Sequence, residues 1–107
     1  MACVYKISCK NKEIKECYIG STVNFKRRYH VHKHNCKSES RPVYKFIREH
    51  GGWDNWKMEI IEDVSEEEKL KRERYYIENT EFTLNYQVPT RTYKERYKND
   101  KEKFVEI

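Results

Sequence analysis

Between residues 3 and 20 two short β-patterned runs, CVYKIS and CYIG, flank the polar stretch CKNKEIKE. In the first run Cys3, Tyr5 and Ile7 take one face and Val4 and Lys6 the other, the two-residue period of a half-buried strand. Asn11 and its charged neighbours supply turn chemistry between the runs, so residues 3–20 read as a hairpin. A chain that opens on a hairpin begins its sheet antiparallel.

The elements that follow keep to that plan. Asn24 can cap a helix over roughly 25–36. SRPVYKFIREHGG predicts a second helix, with Pro42 in its first turn and Gly51–Gly52 ending it. NWKMEIIE alternates Trp56, Met58 and Ile60 against Lys57, Glu59 and Ile61, a third strand. SEEEKLKRERYYIEN opens with a capping box, Ser65 with Glu68, and predicts a helix to about Asn79. TEFTLNYQVPT reads as a loop or short extended piece. The order β-β-α-α-β-α does not suit a doubly wound parallel sheet. It predicts an α+β fold, a small antiparallel sheet flanked by helices. Residues 1–90 form one domain on this reading, and 91–107 a charged C-terminal helix or tail with a thin stripe of Tyr93, Tyr97 and Phe104.

Composition narrows the partner. The chain has 107 residues, room for one small domain. Its 23 Lys and Arg outweigh 18 acids for a net charge of +5, which favours an anionic partner such as nucleic acid. An aromatic content of 14% argues against general disorder. No apolar run is long enough for a membrane span or signal peptide, so an intracellular location, cytoplasm or nucleus, is expected. Cys3, Cys9, Cys17 and Cys36 are then expected as thiols. They contain no C-x-x-C pair, and on a helix His30, His32 and His34 point in different directions, so a zinc site is not expected. Abundant Lys, Tyr, Asn and Ile hint at an AT-rich genome such as that of a virus or mobile element.

Two helices carry charges where apolar residues belong. On the first, Arg28 and His32 share the stripe of Phe25, Tyr29 and Cys36, while Lys26, His30 and His34 look away. An inward arginine is paired, faces a cleft, or snorkels past the core edge to solvent. On the last, Glu73 falls within the stripe of Leu70, Tyr76 and Ile77. It is either half of a structural ion pair or a metal-binding or acid–base carboxylate. Gly20, without a side chain, lets a substrate backbone or the following helix start come close.

In this order CVYKI, CYIG, FKRRYHVH, RERYYI and LNY resemble the GIY-YIG nuclease superfamily over most of residues 3–86. Cys3 and Val4 stand where Gly and Ile are usual, whereas Tyr18-Ile19-Gly20 matches in full. The resemblance implies a central three-stranded antiparallel sheet with flanking helices. It implies Tyr5 and Tyr18 as the two motif tyrosines, Arg28 as the helix arginine and His32 as the histidine one turn later. Glu73 becomes the single metal-binding glutamate, and Asn85 the asparagine that buttresses the site.

The implied activity is that of a metal-dependent DNA endonuclease. One Mg²⁺ (or Mn²⁺) sits on Glu73, Arg28 binds the phosphate, Tyr5 is the candidate base and Tyr18 orients Tyr5 or the phosphate. Gly20, Lys26, Arg27 and Lys33 are the expected DNA contacts. The alternatives are a non-cleaving nucleic-acid-binding module on the same fold, or a small interaction domain with a solvated basic helix. Many members of the superfamily take their specificity from a second domain. Here recognition is expected from the catalytic domain, the tail, a dimer or a partner protein, unless the 107 residues are the nuclease part of something longer.

Overall fold

The computed structural model describes residues 1–85. Strand β1 (Ala2–Cys9) and strand β2 (Cys17–Thr22) form the expected hairpin, with Tyr5 opposite Gly20. Helices α1 (Phe25–Asn35) and α2 (Pro42–Glu49) follow, then strand β3 (Trp56–Val64) and helix α3 (Lys69–Glu78). The sheet order is β2-β1-β3 and both pairings are antiparallel, so the tyrosine-bearing β1 is the central strand. The region assigned to a charged C-terminal helix, 91–107, lies outside the described residues.

Local chemistry explains most boundaries. Asn24 caps α1, its side chain accepting from Arg27 N at 3.0 Å. Pro42 opens α2, and Gly51 and Gly52 end it with φ of 97° and 78°, angles that β-carbon-bearing residues avoid. A 3-10 turn at Trp53–Asn55 then delivers Trp53 into the core.

Three sequence expectations are corrected. Ser65 does accept from Glu68 N, at 3.3 Å, but that bond closes only a turn over 66–68, and α3 starts at Lys69. Leu70 is therefore not on a buried stripe: it is 45% exposed, and α3 is seated by Ile77. The alternation of β3 also breaks. Tyr5 pairs with Ile60 but Val4 with Glu62, so Ile61 is an extra residue in the ladder. That bulge leaves Ile60 48% exposed and turns Ile61 toward the α3 side, where it packs.

The sheet separates two cores. Under α1 and α2 lie Tyr5, Ile7, Tyr44, Ile47, Trp53 and Trp56, with Cys9, Cys36 and Val43 filling between them. Under α3 lies a smaller aliphatic set, Ala2, Val4, Ile19, Val64 and Ile77. All four cysteines are buried and free. Among the described residues no helix is long and apolar enough to cross a membrane.

Candidate active site

Alternation on β1 turns Tyr5 into the larger core, where it is 1% exposed. Its Oη lies 2.7 Å from His32 Nε2, and His32 Nδ1 lies 2.9 Å from Tyr44 Oη. Asn35 Nδ2 donates to the same Tyr44 oxygen at 3.3 Å. A β-carbon on Gly20, the register partner of Tyr5, would stand 2.3 Å from Tyr5 Oη. The room left by this glycine is taken by the tyrosine hydroxyl, not held open for a substrate backbone. That replaces the expected role of Gly20 as a DNA contact: it seats Tyr5.

Burial sets the protonation of this chain of rings. It lowers the His32 pKa to about 4, helped by Arg28 and Arg41, so the imidazole is neutral at pH 7. The same desolvation raises the Tyr5 phenol far above the ordinary range; Tyr18 and Glu73 raise it further and Arg28 opposes them. Tyr18 is raised likewise, by burial and then by Glu73. Tyr5 at rest is thus a neutral phenol bonded to a neutral imidazole.

Arg28 faces a cleft. It is exposed, its guanidinium makes no hydrogen bond or ion pair among the described residues, and it lines a cleft of about 640 Å³. Tyr18 and His32 line the same cleft, as do Tyr44 and Arg41 from the start of α2. Lys26, Arg27 and Lys33 are exposed along the remaining surface of α1.

Strand β2 is an edge strand, and an unpaired edge needs cover. Its outward-facing backbone groups are met one after another. Cys17 N donates to Phe82 O at 3.0 Å and Cys17 O accepts from Leu84 N at 2.7 Å. Ile19 is clamped by the Asn85 side chain, whose Oδ1 accepts from Ile19 N (2.9 Å) while its Nδ2 donates to Ile19 O (2.6 Å). Ser21 is met by Glu73, whose Oε1 accepts from Ser21 Oγ at 2.9 Å, with a further bond from the Ser21 backbone. One amide thus stands in for a strand residue at the edge of β2.

Among the described residues Glu73 makes no ion pair, and its hydrogen-bond partner is the neutral Ser21. Burial raises its pKa, while the Ser21 bonds, Arg28 and Lys69 oppose that rise. A half-buried carboxylate in that condition gains from an added cation. Tyr44, Ser21 and Arg41 were missed from sequence. Only Tyr44 carried a signal, sitting beside Val43 and three residues before Ile47 on the buried face of α2.

This sheet order, with a tyrosine on the central strand, an arginine and histidine on α1 and a glutamate on α3, defines the class. A comparison with known families matches residues 1–87 to the GIY-YIG catalytic domain. The chain belongs to the GIY-YIG family of endonucleases. Two solved structures share the fold. The catalytic domain of the homing endonuclease I-TevI superposes with a TM-score of 0.64 at 16% identity, covering 79% of this chain and 99% of that one. A glutamate-to-alanine mutant of the catalytic domain of intron endonuclease I-TevI gives 0.68 at 19% identity, covering 86% and 100%. No curated protein matches the chain.

Proposed function

We propose that the chain is a metal-dependent DNA endonuclease using one divalent ion and a tyrosine-assisted hydrolysis of the phosphodiester. The observation that carries this reading is the meeting of unlike groups around the two motif tyrosines. Arg28, unpaired among the described residues, and a half-buried Glu73 both act electrostatically on Tyr5 and Tyr18.

The donor set fits a hard cation that keeps much of its water. Among the described residues no three His, Cys, Asp or Glu side chains converge, so Glu73 supplies the one carboxylate. Water and phosphate oxygens would fill the remaining positions around such an ion. When bound, Mg²⁺ or Mn²⁺ supplies Lewis-acid stabilisation of the phosphate and the leaving oxygen.

The chain's own residues do the rest. Arg28, with its donors unused, grips a non-bridging phosphate oxygen and offsets the charge that develops there. Tyr5 takes a proton from the attacking water only if its own proton has somewhere to go, and His32 Nε2 at 2.7 Å is the acceptor. His32 is neutral and therefore able to accept. Tyr44 holds the opposite ring nitrogen and keeps the imidazole in line. Tyr18, 5.7 Å from the His32 ring centre to centre, walls the cleft and orients the phosphate. Lys26, Arg27 and Lys33 follow the DNA backbone outside the site. Sequence discrimination is expected to be low.

The deciding experiment incubates supercoiled plasmid and a branched DNA with the protein in Mg²⁺, Mn²⁺ or EDTA, beside Glu73→Ala. Metal-dependent nicking lost in the variant supports the proposal. DNA binding without cleavage by either protein supports the binding-module alternative.

A further inference from the structure

The cleft beside the catalytic groups is larger than one phosphate requires and is charged at two places. Its α1 wall is the stripe Arg28, Val31, His32 and Asn35, at the spacing of one helix face. Arg41 and Pro42 contribute from the opening of α2, and among the described residues no aspartate or glutamate lines it. Val31 is 41% exposed there, an apolar surface between the two arginines.

Arg41 is suited to an anion. Its side chain is 61% exposed, and its ion pair is a single 3.4 Å contact with Glu39. Its guanidinium carbon stands 5.2 Å from the centre of the Tyr44 ring, a cation–π seat that orients the group without consuming its N–H donors. Arg28 and Arg41 line the same cleft as His32 and Tyr18, and both act electrostatically on these two rings.

From this geometry we infer that Arg41 forms a second phosphate-binding position. The cleft between α1 and α2 takes a nucleotide next to the scissile phosphate, with Arg41 on its phosphate and Val31 against its sugar or base. The inference deepens the nuclease reading and rests on it for the identity of the strand. Arg41 then acts on register: holding the neighbouring phosphate at the far side of the cleft places the scissile one at Arg28.

The test measures binding of a fluorescent DNA duplex in EDTA across a salt series, so cleavage is not needed for a readout. Arg41→Ala is expected to weaken binding roughly tenfold at low salt. The slope of log affinity against log salt should fall by about 0.9, one phosphate contact for duplex DNA. Arg41→Lys should restore the slope but only part of the affinity, because a point charge replaces a planar fork. Val31→Phe, which fills the cleft while leaving both arginines, should weaken binding with the unfolding midpoint unchanged. An Arg41→Ala protein that binds with wild-type slope and affinity, or a wild-type chain that does not bind at all, overturns the inference. Plasmid nicking read in parallel separates the two claims. Nicking with an unchanged Arg41→Ala slope defeats only the second phosphate position, and a lowered slope without nicking defeats only the nuclease reading.

Discussion

On the α1–α2 face of the sheet the core contains the chemistry: Tyr5, His32 and Tyr44 are at most 3% exposed and are joined by bonds of 2.7 and 2.9 Å. On the α3 face the core is Ala2, Val4, Ile19, Val64 and Ile77, and Glu73, the proposed metal-binding carboxylate, hangs at the rim on Ser21. The first face cannot lose a site residue without opening a buried polar network. The second can lose its carboxylate and keep its packing. Function and stability are therefore entangled on one side of the sheet and separable on the other.

The largest expected effect tests the separable side. Glu73→Ala should cut metal-dependent nicking on the order of a thousandfold. Its thermal midpoint should be unchanged or raised, because burial disfavours the charged form of this carboxylate. A large fall in the midpoint would break the comparison.

Tyr5→Phe tests the entangled side. Cleavage should drop about a hundredfold or more, and stability should fall with it by roughly 1–3 kcal/mol, because His32 Nε2 loses its buried partner. Denaturant unfolding of the variant, set beside its nicking rate, reads both.

Acid should act through the same face. His32 titrates near 6.5 unfolded and about 4 folded, so the unfolded chain binds more protons between those values. Stability at neutral pH should be lost as pH falls from about 6.5 to about 4, by on the order of 3 kcal/mol. Urea midpoints measured over that window check the sign, and His32→Gln should flatten the dependence.

The smallest effect sharpens the contrast. Ile77→Val should cost roughly 0.5–1.5 kcal/mol of stability and leave the cleavage rate within about twofold. Activity lost in proportion to stability there would mean that the α3 face is not inert packing after all.

Periodicity found the oddities before the structure did. Arg28 and Glu73 stood out because a charge on an apolar stripe conflicts with burial, and both now border the site. It went wrong where one element had to adjust to another. The Ile61 bulge, the exposed Leu70 and the late start of α3 are local concessions to packing that no short window of sequence encodes. The pairing of Asn85 with Ile19, 66 residues apart, was not legible: the family resemblance pointed to Asn85 but not to its partner.

By itself, then, the sequence determined the hairpin, the order of the elements, the antiparallel class and the family, since these rest on local alternation, capping and motif spacing. Tertiary structure decided the rest. It set β1 at the centre, gave Gly20 to the Tyr5 hydroxyl, placed Tyr44 behind His32 and pushed the Tyr5 and His32 pKa values away from ionisation. The physical reason is that side-chain direction follows from backbone period, whereas partner and dielectric depend on what the other elements bring to the same place.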